Sequence, residues 1–111
     1  LYIYIGSYDK CIYVLNAENG ALEWSVKTGD IVKSSPTTNL ELGYVYAGSH
    51  DRNVYCLDLY AKQIVWKRDL NSGSIFSSPI CDSEQNVLVT TLGGYLFYLN
   101  GINGSIIWSL K

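Results

Sequence analysis

Apolar and polar positions recur along the chain in short strand-like runs that are separated by turn residues. The middle of the chain contains YVYAGS at 44–49, NVYCLDL at 53–59 and QIVWKRD at 63–69. Aromatic and β-branched residues favour strands, and the Gly, Asn, Asp and Ser residues between the runs are typical of hairpin turns. Because the first two runs are almost continuously apolar instead of alternating, we expect these strands to be buried on both faces.

The same pattern is present three times, at a constant step of 42 residues. Residues 6–24, 48–66 and 90–108 align without a gap, as GSYDKCIYVLNAENGALEW, GSHDRNVYCLDLYAKQIVW and TTLGGYLFYLNGINGSIIW. Self-similarity at about 40–45 residues is typical of propeller blades. The sequence therefore predicts an all-β fold made of β-propeller blades, each a four-stranded antiparallel sheet.

The first strand of each unit is predicted around a Ser-Ser-Pro step, in IVKSSPTT at 31–38 and SIFSSPIC at 74–81. On this count residues 1–29 supply three strands of a first blade, 30–71 form a second blade and 72–111 a third. A closed propeller takes about four to eight blades. We therefore expect a partial propeller, cut from a longer protein.

Each unit closes with an eleven-residue pattern that ends on a tryptophan. An Asn or Asp ends one strand, a glycine supplies the positive φ of the turn, and a Trp follows four residues later. A Trp at this position can bury a large area against the adjoining blade. Structural docking roles are predicted for Trp24, Trp66, Trp108, Gly20 and Gly104. Lys62 takes the glycine position in the middle unit, so docking is expected to differ there.

This tryptophan pattern, with GSxD before it and SSP after it, resembles the repeat of PQQ quinoprotein propellers, which have the quinoprotein alcohol dehydrogenase-like fold. WD40 repeats fit less well because Ser25, Lys67 and Ser109 follow the tryptophans. Residues 32–67 and 91–108 also resemble the C-terminal repeat region of the β-alanine-activating enzyme family, acyl-CoA synthetase family member 4. In that family the repeats follow an acyl-adenylating domain and a carrier domain. The resemblance implies a cytoplasmic, non-catalytic interaction or scaffold module accessory to an adenylating enzyme.

Composition and charge restrict the partners. Eight basic and ten acidic residues give no clustered basic face, so no nucleic-acid partner is expected. No apolar run approaches 18 residues, so no membrane partner is expected either. Three cysteines without CxxC spacing suit a reducing compartment. The expected partners are neighbouring blades or domains of the same longer chain, and a protein; the isolated segment is expected to self-associate through its uncovered outer blades.

No catalytic, metal-binding or cofactor-binding residue is predicted. Ser49, His50 and Asp51 have the residue types of a catalytic triad, but contiguous residues in a turn cannot form the relay. A calcium–PQQ site needs converging oxygen ligands. The dehydrogenases that the repeats resemble also place two adjacent cysteines at the quinone, and this chain has no such pair. No cofactor is therefore expected.

Four serines are candidates for lining the axial channel of the propeller, because first strands converge there. Packing of small residues is the main interpretation, and a polar contact with a channel ligand is the alternative. The four are Ser34, Ser35, Ser77 and Ser78.

Two alternative functions from other classes stay open at this point. One is a fragment of a PQQ-dependent dehydrogenase, and the other is a secreted quinoprotein-like sensor or assembly factor. A signal peptide upstream would favour the latter.

Overall fold

The computed structural model describes residues 1–111, which form eleven strands in three antiparallel sheets. The first sheet contains β1 (Tyr2–Gly6), β2 (Cys11–Asn16) and β3 (Leu22–Lys27). The second contains β4 (Thr37–Asn39), β5 (Tyr44–Gly48), β6 (Asn53–Asp58) and β7 (Gln63–Asp69). The third contains β8 (Ile80–Cys81), β9 (Val87–Thr90), β10 (Leu96–Leu99) and β11 (Ile106–Leu110). Strands that follow each other in a sheet are hydrogen-bonded neighbours, so the predicted all-β fold of antiparallel sheets is confirmed.

The 42-residue step of the sequence is also the step of the strand register. In all three sheets the last hairpin contains a register shift next to the residue that pairs with the tryptophan. The pairs are Val14 with Trp24, Cys56 with Trp66 and Tyr98 with Trp108. A bulge bends a strand and re-aims its side chains, so each tryptophan leaves its strand at an equivalent position. The chain contains no helix of the length and apolarity needed to cross a membrane.

Two hydrophobic cores hold the three sheets together, one at each junction between successive sheets. Adjacent residues of the middle sheet point into different cores: Val45 belongs to the first core and Tyr46 to the second. The first core contains Ile12, Val14, Val26, Val32, Val45, Ala47, Tyr55, Leu57 and Leu59. The second contains Tyr46, Val54, Cys56, Trp66, Leu70, Ile75, Val87, Val89, Phe97 and Leu99. Burial on both faces explains why β5 and β6 are almost continuously apolar.

The first and third sheets each bury one face and expose the other. Ile3 and Ile5 of β1 are exposed on the first sheet, as are Trp108 and Leu110 of β11 on the third. Uncovered apolar faces of this kind favour association with another surface. They support the expected self-association of the isolated segment, which stays a prediction.

The Ser-Ser-Pro steps do not lie in strands, and this part of the strand prediction was wrong. β4 begins at Thr37 and β8 at Ile80, directly after the prolines. Proline has no N–H for a ladder and restricts the residue before it. The residues before each proline cross instead to the preceding sheet, where Val32 N donates to Ser7 O over 2.9 Å. We call residues 31–36 and 74–79 the crossing segments.

Each crossing segment passes closely over a glycine of the preceding sheet. A Cβ at Gly6 would lie 2.5 Å from Val32 Cγ1, and one at Gly48 would lie 2.3 Å from Ile75 Cγ2. Both distances are shorter than side-chain packing permits, so glycine is required for this approach. Thr90 takes the equivalent position in the third sheet.

Replacing Gly48 by alanine should destabilise the chain. The added methyl group meets the fully buried Ile75, and overpacking of this kind typically costs about 1–3 kcal/mol. Urea denaturation measures the change. In an Ile75→Ala background the penalty should shrink because the methyl group enters the vacated space; an equal penalty in both backgrounds would show that the close approach is not the cause.

Candidate functional site

The most completely built site in the chain is a junction between the second and third sheets. The turn between β10 and β11, residues 101–104, receives three side chains of the second sheet, and we call it the docking turn. Tyr46 Oη donates to Gly101 O over 2.9 Å, and Trp66 Nε1 donates to the same carbonyl over 3.2 Å. Arg68 Nε donates to Gly104 O over 2.8 Å. The polar groups of these buried and half-buried side chains are therefore satisfied by backbone of the next sheet.

Glycine is required at both ends of the docking turn. A Cβ at Gly101 would lie 1.8 Å from Gln85 O. A Cβ at Gly104 would lie 2.5 Å from Trp66 Cε3, and the φ of Gly104 is +76°. The indole therefore lies directly on the turn backbone. This contact supports the docking roles predicted for Trp66 and Gly104.

The protonation state of Tyr46 favours the hydrogen bond that its hydroxyl donates at this junction. Burial, with smaller effects from Cys56, Cys81 and Tyr44, raises the pKa of Tyr46. Its hydroxyl therefore stays protonated at neutral pH and can donate to Gly101 O.

The junction between the first and second sheets is built differently. Leu59 and Lys62 take the positions of the two docking-turn glycines, and Val26 takes that of Arg68. Lys62 still adopts a positive φ of 55°, in a region that disfavours residues with a Cβ. Trp24 packs against the first core and remains partly exposed. The turn at Lys62 therefore has a positive φ, as the docking turn does, although a lysine stands at the glycine position.

The two remaining predicted docking residues have no partner sheet within residues 1–111. Gly20 has a φ of +73°, and a Cβ there would meet nothing within 4 Å. Trp108 is 43% exposed and stacks on Tyr98, with ring centroids 5.1 Å apart. Their docking roles stay predictions.

The four predicted channel serines hydrogen-bond either to the backbone of a neighbouring strand or to each other. Ser34 Oγ donates to Gly48 O and accepts from Gly48 N, both over 3.0 Å. Ser77 Oγ donates to Thr90 O over 3.0 Å. The exposed Ser35 and Ser78 are joined to each other, because Ser35 N donates to Ser78 Oγ over 3.0 Å. Their role in lining a channel stays a prediction.

The side chains of Ser49, His50 and Asp51 turn to different partners. Ser49 Oγ lies 3.0 Å from Thr28 Oγ1 and accepts from Asp51 N. The His50 ring packs edge-on against Phe76, with centroids 4.2 Å apart. No Ser-to-His-to-Asp relay is therefore assembled.

Sequence reasoning missed a pair of residues, Asp and Tyr, that lie four positions apart in two repeats. Tyr13 Oη donates to Asp9 Oδ2, and Tyr55 Oη donates to Asp51 Oδ2. In the third repeat the two positions are occupied by glycine and phenylalanine, so both partners are replaced together. That joint replacement is the signal in the sequence that could have revealed the pair.

Asp51 also links the first sheet to the second. Its Oδ2 accepts from Gly29 N over 2.9 Å, in the connection between the two sheets. Burial opposes ionisation of the carboxyl group. Hydrogen bonds from Tyr55, Gly29 and Asn53 outweigh burial and lower the pKa of Asp51. The carboxylate is thus part of the junction.

The donor groups of residues 1–111 do not fit a calcium-bound quinone. No three or more His, Cys, Asp or Glu side chains converge to hold a metal ion. The three cysteines are free and lie in three different sheets. We therefore derive no redox step from these residues.

Comparison with known proteins identifies relatives along nearly the whole chain. The family model described as outer membrane protein assembly factor BamB matches residues 2–111. The beta-alanine-activating enzyme of Drosophila melanogaster is 31% identical over 110 residues, covering 96% of this chain and 11% of the relative. The predicted resemblances to the PQQ repeat family and to the β-alanine-activating enzyme are confirmed.

Two solved structures show the same fold. BamB from Moraxella catarrhalis matches with a TM-score of 0.84 at 19% identity, over 99% of this chain and 35% of that chain. The quinohemoprotein alcohol dehydrogenase ADHIIG from Pseudomonas putida HK5 matches with a TM-score of 0.86 at 20% identity, over 98% of this chain and 19% of that chain. The sheets are therefore blades of a β-propeller of the quinoprotein type.

Replacing Trp66 by alanine should cost about 3–5 kcal/mol of unfolding free energy, as large aromatic truncations in cores do. The change removes a buried ring from the second core and leaves the docking turn uncovered. Trp108→Ala is the matched control, because its ring is 43% exposed, and should cost clearly less. Chemical denaturation decides: a Trp66 loss below about 1 kcal/mol would contradict the docking role.

Acidification should remove the contribution of Asp51. The pKa of Asp51 in the folded chain lies below the unfolded value of about 3.9. Its hydrogen bonds therefore stabilise the fold above that pH, and the effect is lost as the pH falls through the folded pKa. The stability gap between wild type and Asp51→Asn should be largest at pH 7 and narrow towards pH 3. The stability gap between wild type and Tyr55→Phe should narrow in the same way. A stability gap that stays constant with pH would refute the role assigned to the Asp51 carboxylate.

Proposed function

The chain belongs to the PQQ repeat family whose model is described as outer membrane protein assembly factor BamB, and on this basis we propose that it acts through protein contacts. Specifically, it is a non-catalytic propeller segment of a longer acyl-adenylating enzyme of the β-alanine-activating type. The observation that carries the proposal is the similarity to the Drosophila melanogaster beta-alanine-activating enzyme along nearly the entire segment.

The size relation supports an accessory role. The chain spans about a ninth of the length of that relative, so most of such a protein lies in other regions. Activation of β-alanine would take place in those regions. The propeller segment would contact neighbouring domains of the same chain or a protein partner.

Exposed apolar side chains at the turns are the candidate contact residues. Tyr8 and Leu92 occupy the same repeat position, in the turns after β1 and β9. Tyr60 and Ile102 share another, in the turns after β6 and β10. Tyrosine is among the residues that provide most of the binding energy in protein interfaces, so Tyr8 and Tyr60 are the main candidates. Exposed apolar residues recur at these two repeat positions, which favours a contact surface over apolar residues scattered singly on the surface.

We propose a cytoplasmic location for the segment. The three cysteines are free, which suits a reducing compartment. Burial, and to a lesser degree Asp58, raises the pKa of the Cys56 thiol, so this cysteine is an inert core residue.

The proposal predicts that the full-length protein catalyses β-alanine-dependent exchange of pyrophosphate into ATP, and that this segment does not contribute to that step. The full-length variant Tyr8→Ser/Leu92→Ser should retain the exchange rate within about twofold, because the segment takes no part in the exchange step. A twofold change corresponds to about 0.4 kcal/mol of activation free energy, which does not indicate a catalytic contact. The same variant should load β-alanine onto the carrier domain more slowly if the turns contact that domain.

Two results would overturn the proposal, and they differ in meaning. Absence of β-alanine-dependent exchange in the full-length protein would reject the adenylating parent. A loss of exchange of more than about tenfold in the surface variant would give the segment a part in catalysis. Glycine in place of β-alanine is the substrate control.

A further inference from the structure

A groove of about 360 Å³ lies between the turns that follow β4 and β8, at the junction of the second and third sheets. Leu40 and Glu41 line it from the first turn, and Asp82 and Gln85 line it from the second. The two turns are joined to each other, because Gln85 Nε2 donates to Glu41 Oε2. We call this space the inter-turn groove. Both sheets that form it have four strands.

The inter-turn groove is acidic. Glu41 and Asp82 line it, and none of its lining residues is basic. Hydrogen bonds from the Tyr98 hydroxyl and from the backbone N–H of Asn86 lower the pKa of Asp82, so its carboxyl group is ionised at neutral pH. A cleft lined by charges of one sign concentrates ions of the opposite sign. The groove therefore attracts a cationic group.

A buried amide in the same groove adds a second requirement. Asn39 lines the groove and is 7% exposed, and its Nδ2 has no hydrogen-bond partner. Its Oδ1 accepts from Leu42 N over 3.3 Å, which fixes the amide so that Nδ2 is the free donor. A buried donor without an acceptor is costly. A ligand that suits this groove therefore brings a carbonyl oxygen as well as a cation.

We propose that the inter-turn groove binds a lysine from another region of the same longer chain. A lysine residue supplies a main-chain carbonyl for Asn39 and an ammonium group for Glu41 and Asp82. Its aliphatic stem can cover Leu40, which is 77% exposed. The inference rests on the proposed accessory role and specifies the contact through which the segment would perform it. The chain covers 11% of its Drosophila melanogaster relative, so most of such a protein lies outside the segment.

The hydrogen bonds that the carboxylates already accept favour lysine over arginine. Asp82 Oδ1 accepts from Glu84 N over 3.0 Å and from Asn86 N over 2.9 Å, and Asp82 Oδ2 accepts from the Tyr98 hydroxyl. Glu41 Oε2 is engaged as well. A guanidinium group pairs best with two open oxygens of one carboxylate, whereas an ammonium group is a point charge that can use a single oxygen.

Carbodiimide coupling in the purified full-length protein tests the inference, because it joins a carboxylate to an amine in contact with it through an amide bond, with loss of water. Peptide mass spectrometry should find Glu41 joined to a lysine outside residues 1–111. Glu18 is the matched control, since it is exposed in the turn after β2 and lies outside the groove. The yield at Glu41 should exceed that at Glu18 by about tenfold or more, because a docked amine has a high effective concentration.

Two variants separate recognition of charge from simple proximity. Asp82→Asn keeps an oxygen for the backbone of its turn and removes one charge from the groove. It should lower the yield of the Glu41 link by about two- to fivefold, the range that exposed ion pairs give. Glu84→Gln removes the same charge from an exposed position that does not line the groove, and it should change the yield less. An equal fall in both variants would contradict recognition by the groove.

Three further outcomes would overturn the inference. They are the absence of a Glu41 link, links of Glu41 only to lysines within residues 1–111, and a yield that rises with protein concentration. The last would assign the groove to a separate molecule. β-Alanine-dependent exchange is measured on the same preparation: exchange without the link rejects the lysine contact alone, and absence of exchange rejects the adenylating parent, so the two proposals fail separately.

Discussion

The junction between the second and third sheets depends on side chains of one sheet that hydrogen-bond to backbone carbonyls of the next. Gly101 O accepts from both Tyr46 and Trp66, two groups that are buried together in the second core. A buried donor without an acceptor typically costs about 1–3 kcal/mol, so this carbonyl fixes how the two sheets approach each other. The second core is therefore closed with the docking turn held against Tyr46 and Trp66.

This constraint separates the glycine positions at the closely packed contacts from the turn positions that are free to carry large side chains. Glycines under crossing segments and in the docking turn allow backbone contact that a Cβ would prevent. Turn tips such as Tyr8 and Ile102 make no such demand and remain exposed. A fold held together at its junctions leaves its turns available for recognition, which is the physical basis for proposing an interaction role.

Much of the fold could be predicted because the 42-residue step repeats local patterns. The apolar run of β6 and the position of Trp66 follow from hydrophobic periodicity alone. The partner of Trp66 does not, since it is a carbonyl 35 residues away in another sheet. The path of the crossing segments was missed for the same reason: their hydrogen bonds reach the preceding sheet and are not encoded in local propensity.

The central claim is that the indole of Trp66 and the backbone at Gly104 are energetically coupled. Gly104→Ala and Gly20→Ala both place alanine at a positive φ, +76° and +73°, but only the first meets a tryptophan. Unfolding free energies of both variants, in wild-type and Trp66→Ala backgrounds, measure the coupling. The account predicts that Gly104→Ala costs about 1–3 kcal/mol more than Gly20→Ala when Trp66 is present, and that this excess disappears in Trp66→Ala. An excess that persists without Trp66, or that is absent with it, would contradict the account.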